Sequence, residues 1–415
     1  MKRISSQLPS YDSSYYLRLH EWQLNRQNGK VAAQSRIKDL RDDPLAAARS
    51  VRLQSAILRS DQYASNAAGL QESLAGSEGQ LRSAMDVLQR IRELAVQGAN
   101  GIYDASQLAY VGEEVDQLLG ELVTIGNARD ESGNYLFSGT AVRTEPFRLT
   151  RGRVPGGASD LVVAVDYLGN DGQNPVEVTE GTAVSTVMAG NRAFWAEQQQ
   201  IYATVDATQY RVQADSTIRV DGVDIALATG DPVSAIMAKI NDSGAPVKAT
   251  LDPVTGGLVL QSTQPHQISL ADLGGATVLQ DLGVLARGGS RPPLNTSQSA
   301  RMFGGSIFDV VIHLRDSLFE GSSEKVGSSG LKGIQDAISS LAGTIAGVGA
   351  RDARLEAVAG RLSWEKPELV RFDSRERDLD LAEAITKLKA LEYAHEAALN
   401  TAARVLQPTL LDFLR

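Results

Sequence analysis

Two long apolar seams, one near each end of the chain, limit the fold more than any other feature. Stepping alternately by three and four residues from Ala46 gives Ala46, Arg49, Leu53, Ala56, Ser60, Tyr63, Ala67, Leu70, Leu74, Ser77, Leu81, Ala84, Leu88, Ile91 and Ala95, and twelve of these fifteen are apolar. Such a heptad pattern predicts one helix of about 75 Å at ~1.5 Å per residue, with a narrow stripe that must be covered by another helix. The same stepping from Leu331 reads Leu331, Ile334, Ile338, Leu341, Ile345, Val348, Asp352, Leu355, Ala359 and Leu362. The second rod begins long after the first ends, so the two ends are expected to pair and the middle is expected to be an insertion.

The helix signals agree with this plan. Asp42, Asp43 and Pro44 form a helix start, because a carboxylate can accept the free N–H groups of the first turn and proline is tolerated there. Gly98, Asn100 and Gly101 suit a helix end. Asp104 then opens a second helix with the seam Leu108, Val111, Val115, Leu118, Leu122 and Ile125, folding back as a hairpin. A break is expected at Pro367. A last helix follows with Leu381, Ile385, Leu388, Leu391, His395 and Leu399, and the chain closes with Leu411 and Phe413 among its final residues. The expected packing positions are Leu53, Leu70, Leu74, Leu81, Leu88, Ile91, Leu118, Leu122, Ile334, Ile338, Leu341, Ile345, Leu381, Ile385, Leu388, Leu399, Leu411 and Phe413.

Between the rods the pattern changes. Leu161 to Leu168 reads as a buried strand. Thr217 to Leu227 alternates apolar and polar around Asp221-Gly222, a strong hairpin signal. A short helix from Pro232 to Asn241 and a second hairpin, Val247 to Leu251 with Leu258 to Gln261, complete a compact α+β module. The fold class is therefore mainly α with an α+β insert, the N- and C-terminal long helices forming an antiparallel coiled-coil bundle. The segments are 1–41 and 367–415 for the two ends, 42–141 and 301–366 for the halves of the helical rod, and 142–300 for the insert.

In the first segment Ile4, Leu8, Tyr11, Tyr15 and Trp22 share one helical face. Fixing a residue costs ~1–2 kcal/mol of conformational entropy, more than a thin stripe on an unpartnered helix offsets. Residues 1–41 and about 370–415 are therefore expected to be mobile in the free subunit and to order on assembly.

Composition narrows the chemistry. The 415 residues carry 41 Lys and Arg against 50 Asp and Glu, a net charge of −9, which argues against a nucleic-acid binder. Residues 1–41 hold eight bases and three acids, and residues 142–300 hold eleven bases and sixteen acids. With no cysteine there is neither a disulfide nor a thiolate metal site. No stretch reads as a membrane span or a secretory leader, and membrane insertion is not expected. His20, His266, His313 and His395 have no histidine at i+3 or i+4 and read as surface or seam residues. Phosphate-loop and nucleophile-elbow motifs are absent. Asp166 with Asn170-Asp171-Gly172 matches a calcium loop poorly, and Asn295-Thr296-Ser297 is a formal glycosylation triplet. No enzyme, cofactor or metal is expected.

Several stretches resemble the bacterial flagellin superfamily, most closely its hook-associated protein 3 type. They are Asp42 to Arg49, Ile91 to Gly101, Glu114 to Leu119, Asn127 to Asp130, Tyr135-Leu136-Phe137-Ser138-Gly139, Asp378 to Ile385 and Leu410 to Leu414. Asp42-Asp43-Pro44, where flagellin usually has Asp-Asp-Ala-Ala-Gly, and Tyr135 to Gly139 point to the junction type. Residues 215–285 resemble the inserted module of flagellins and filament-cap proteins. The resemblance implies a structural protein of the flagellum at the hook–filament junction. It would be exported unfolded through a type III apparatus with an export chaperone, and would self-associate into a ring between another hook-associated protein and flagellin. The site would be extracellular, or periplasmic where the filament is enclosed. A minor flagellin, or an adhesin using the insert, remains the alternative.

Overall fold

The computed structural model describes residues 8–157, 160–185, 187–288 and 292–405. In chain order the elements are α1 (Leu8–Ala33), α2 (Pro44–Ala99), α3 (Ala105–Gly126), β1 (Phe147–Gly152), β2 (Leu161–Tyr167), β3 (Pro175–Thr179), β4 (Thr182–Ser185), α4 (Gly190–Ala193), β5 (Gln200–Tyr202), β6 (Ser216–Val220), β7 (Val223–Leu227), α5 (Val233–Asp242), β8 (Val247–Leu251), β9 (Leu258–Ser262), β10 (Leu270–Leu273), α6 (Val278–Asp281), β11 (Arg301–Phe303), α7 (Ile307–Phe319), α8 (Ser323–Lys325), a π-helical turn (Val326–Gly330), α9 (Leu331–Arg377) and α10 (Leu381–Val405). Long helices at both ends thus flank a β-rich middle, as the seams predict. The chain divides into two compact units, Met1–Ser65 with Val358–Arg415, and Asn66–Ala357.

In the first unit α2 and α9 run antiparallel. Lys366 Nζ pairs with Asp61 at 2.5 Å, Ser50 Oγ donates to Asp373 at 2.6 Å, and Arg49 reaches Glu376 at 3.4 Å, so numbers fall on one helix as they rise on the other. The break expected at Pro367 is not there. Helix α9 passes through it and ends at Arg377. Proline costs the helix one N–H donor, and the contacts with α2 on both sides of it hold the helix through that defect. The interruption falls instead at 378–380, where Leu379 N–H donates to the Gln34 carbonyl.

The second unit buries the heptad seams. On α2 Leu70, Leu74, Leu81, Leu88 and Ile91 are buried, and on α9 Ile334, Leu341 and Leu355 are fully enclosed. Gln71 meets Asp352 at 3.5 Å, and a Cβ on Gly327 would lie 3.3 Å from Ala99, so the pair is antiparallel here too. Asp104 caps α3 through a reciprocal bond with Gln107, and Gly101 takes φ +66° in the turn before it. Helix α3 is buried more broadly than its seam predicts. Leu119 and Val123 are enclosed together with Leu108, Val115 and Leu122, because α7, β1 and β2 all pack on this helix.

The β-rich part has its own core. Antiparallel sheets β10-β6-β7 and β11-β5-β9-β8 enclose Ile218, Leu227, Ile236, Leu258, Leu260 and Leu279. Hairpin β6–β7 turns at Asp221 (φ +48°) and Gly222 (φ +82°), the left-handed pair that a type I′ turn needs. Strands β5 and β11, which the sequence pattern does not reveal, lie side by side and carry the chain into and out of this part.

Candidate assembly surface

Helix α2 begins at Pro44, as expected, and its two preceding aspartates are both occupied. Asp43 Oδ1 accepts the Ala46 N–H at 3.0 Å, the N-cap bond, and its carboxyl is held below the usual range by that bond and by Arg36 at 2.9 Å. Asp42 has a different task. Burial works against its charge, but hydrogen bonds from Arg26, the Lys38 and Asp39 N–H groups and Lys30 outweigh it, and its carboxyl stays far below the ordinary value. Asp42 therefore locks α1 and the 34–43 connection to the start of α2.

Helices α1 and α10 pack together, with Gln27 Nε2 donating to the Ala384 carbonyl at 3.1 Å. The face used is the expected one only in part. On α10 Ala384 and Ala402 are buried at 3% and 6%, whereas Leu381, Ile385 and Leu399 are 43%, 47% and 49% exposed. Leu388, Leu391 and His395 are half-buried on the same face as Ala384 and Ala402. The contact stripe runs Ala384, Leu388, Leu391, His395, Ala398 and Ala402 at steps of four and three, and Leu381, Ile385 and Leu399 lie on its flank. Tyr15 and Trp22, on the expected stripe of α1, are 61% and 56% exposed. Arg26 stacks 5.1 Å from the Trp22 ring. Leu411 and Phe413 lie outside the described residues. Leu53 on α2, Leu118 on α3, and Ile338 and Ile345 on α9 are half-buried.

The stretch Tyr135 to Gly139 is an internal brace. Phe137 and Ser138 are fully buried, and Phe137 joins an aromatic cluster with Phe194 at 5.0 Å, itself against Phe147 and Phe308. Tyr167 OH donates to the Phe137 carbonyl at 3.1 Å and receives the Gly190 N–H at 3.1 Å; burial pushes its phenol far up. Gly139 takes φ +69°, and a Cβ there would lie 2.2 Å from the Asn170 carbonyl oxygen. Arg129 stacks 4.3 Å from the Tyr135 ring.

Three buried polar features escaped sequence reasoning. Arg315, fully enclosed, donates to Asp116 at 2.5 Å, to the Val162 carbonyl at 2.6 Å and to Asp316 at 2.7 Å, tying α7 to α3 and β2. His266 is neither a surface nor a seam residue: it is 2% exposed, bridging Asp221 Oδ2 at 2.6 Å and the Gln264 carbonyl at 2.9 Å. Asn295 is buried and donates to the Leu270 carbonyl, so its triplet does not present it. The signals were single letters in otherwise apolar or turn-like runs. Among the described residues no cluster of three metal-ligating side chains occurs, and no helix is long and apolar enough to cross a membrane.

Residues 4–142 match the bacterial flagellin N-terminal helical region, and residues 201–264 match the flagellin hook IN motif. The first match covers α1, α2, α3 and the Tyr135 brace, and the second covers β6 to β9 of the insert. Flagellin FlaB1 of Treponema pallidum is 35% identical over 116 residues, 28% of this chain and 41% of that protein. Flagellar hook-associated protein 3 of Escherichia coli is 26% identical over 137 residues, 33% of this chain and 43% of that protein. These matches cover less than half the length of either relative. A flagellar hook-associated protein structure from Vibrio parahaemolyticus aligns with TM-score 0.47 at 17% identity, over 81% of this chain and 100% of that one.

Proposed function

We propose that the chain is a structural protein of the bacterial flagellum, placed at the junction between the hook-associated rings and the flagellin filament. Its two flagellin segments and its similarity to a hook-associated protein 3 support this reading. One observation carries it: α10 is already paired with α1, yet three of its larger apolar residues, Leu381, Ile385 and Leu399, remain about half exposed on the flank of that contact. A stripe of that kind needs a second partner. A neighbouring copy supplies it, and the end helices complete their burial only in the assembly. Copies associate into a ring with another hook-associated protein on one side and flagellin on the other. The subunit reaches this place unfolded through the export apparatus with the help of a chaperone.

The paired substitution Ile385→Ser and Leu399→Ser tests the carrying observation. In a strain lacking the wild-type chain, the variant should melt like the wild type when purified and should fail to hold a filament on the hook. Filament attachment equal to wild type would overturn the reading. The higher identity to a flagellin than to a hook-associated protein favours one second reading, a minor filament subunit. Sheared filament seeds separate the two, since a junction protein does not elongate them and a minor flagellin does.

A further inference from the structure

His266 sits in the segment 263–269 that joins β9 to β10, and its ring closes on the tip of the β6–β7 hairpin. Nε2 lies 2.6 Å from Asp221 Oδ2, and Nδ1 lies 2.9 Å from the Gln264 carbonyl. The other oxygen of Asp221 is taken, since Oδ1 accepts the Ser269 N–H at 2.8 Å. The two side chains are sealed, at 3% and 1% exposure. A carbonyl oxygen only accepts, and so does an ionised carboxylate, so each ring nitrogen faces an oxygen that needs a hydrogen from it. A neutral imidazole has one N–H to give. Gln264, His266 and Asp221 therefore close together only with one proton more than a neutral histidine beside a carboxylate holds, and whether that proton rests on the ring or on Asp221 Oδ2 leaves the count unchanged.

The segment that the ring holds is also the grip of the insert on α4. Gln267 N–H donates to the Asn191 carbonyl at 2.9 Å, Asn191 Nδ2 donates to the Gln267 carbonyl at 3.1 Å, and Ile268 N–H donates to Gln199 Oε1 at 2.7 Å. His266 itself pairs with Gln198 in a short parallel bridge. The ring forms part of the wall of a groove between α9 and β4, so its proton has a short path to solvent. The charged groups around it are Asp171, whose Oδ2 lies 3.6 Å from a Cβ built on Gly222, the Arg219–Asp224 pair of the hairpin, and Arg192, Glu197 and Asp336 along the groove. Among the described residues none of these is bonded to the ring, and the bonded counter-charge is that of Asp221.

We infer that Gln264, His266 and Asp221 form a proton-held latch that fixes segment 263–269 between the β6–β7 hairpin and α4, closed while the shared proton is bound and opening as pH rises. Loss of that proton leaves a ring lone pair aimed at an oxygen in a sealed site, and the contact becomes repulsive. The closed form binds one proton more than the open form, so alkaline pH favours opening. The hairpin keeps its place, because β10 still pairs with β6 from Leu270 to Leu273. What is freed is the segment, and with it the tie from the insert to α4. The latch needs no neighbouring copy, so it is independent of the role proposed above.

Asp221→Asn separates the proton from the fold. Asparagine suits the φ of +48° and makes with Gly222 the pair that a type I′ turn prefers. Its Oδ1 still accepts from Ser269 and its Nδ2 donates to a neutral ring, so every group is satisfied without the extra proton. Wild-type and Asp221→Asn chains labelled with nitrogen-15 histidine are titrated from about pH 6 to about pH 9.5, through and above the usual histidine range, and the resonances that the substitution displaces are followed. In the wild type both ring nitrogens of that histidine should carry hydrogen at the acid end, and one should lose it as pH rises; in the variant one should be bare throughout. Hydrogen exchange of the 263–269 peptide, corrected for the intrinsic rate, should lose protection about tenfold or more over the same range in the wild type and stay level in the variant. A wild-type ring with one bare nitrogen at the acid end, or a loss of protection that is absent from the wild type or equal in the two chains, would overturn the latch.

Discussion

Replacing Arg315 by alanine gives the sharpest test of how the second unit is held together. The guanidinium is fully buried and serves three acceptors on three different segments. Their losses differ. Asp316 is 37% exposed and Asp116 15%, so both carboxylates can turn toward water, and little is charged to the first of them. The Val162 carbonyl belongs to β2 and cannot turn; stranding it costs roughly 1–3 kcal/mol. Loss of the buried stem and of the Asp116 pair adds to that, which places Arg315→Ala at roughly 3–4 kcal/mol, inside the ~3–5 kcal/mol seen when one partner of a buried pair is removed. The folded-to-unfolded ratio should fall by about two to three decades. Trp195 is the natural reporter: it is 7% exposed, whereas Trp22 and Trp364 are 56% and 79% exposed. A Trp22→Phe, Trp364→Phe background isolates its emission in a urea titration. A loss below about 1 kcal/mol would mean that Arg315 is not the tie its geometry describes. Combining Arg315→Met with Asp116→Leu, which removes both charges together, should recover most of the loss.

Three further outcomes follow from the same structure. Asp42 and Asp43 are held below the ordinary carboxylate value, so their contribution is complete above about pH 4 and is lost as pH falls toward their folded values; an Asp42→Asn chain should melt lower at pH 7 and show a flatter decline of Tm between pH 4 and 2 than wild type. Gly139→Ala places a Cβ against the Asn170 backbone at a positive φ and should lower stability by more than about 1 kcal/mol in a thermal melt followed by circular dichroism, with no effect counting against the Tyr135–Gly139 brace. Since β5 and β11 are neighbouring antiparallel strands about 5 Å apart, replacing residues 200–303 by a short Gly-Ser linker should keep the helical signal and the buried emission of Trp195; an unfolded product would mean that the insert supports the helices.

The heptad stepping was enough to determine both long helices, their antiparallel pairing and the place of the β-rich part, because a narrow stripe repeated over many turns has one physical solution. Asp42, Asp43, Pro44 and Asp104 were likewise legible as helix starts, since capping depends on residues three positions apart. Other features depend on partners distant in the chain. Pro367 marks a helix end by local rules, yet contacts with α2 on both sides of it carry α9 past it as one helix. Leu381, Ile385 and Leu399 look like part of a seam, yet burial is centred on the stripe Ala384, Leu388, Leu391 and Ala402 and leaves those three on its flank. Arg315, His266 and Tyr167 gained their roles only when folding set carboxylates and carbonyls from remote segments around them. Periodicity is a property of the local backbone and is written in the sequence; which face meets which neighbour depends on distance and shape, and only the tertiary structure decides it.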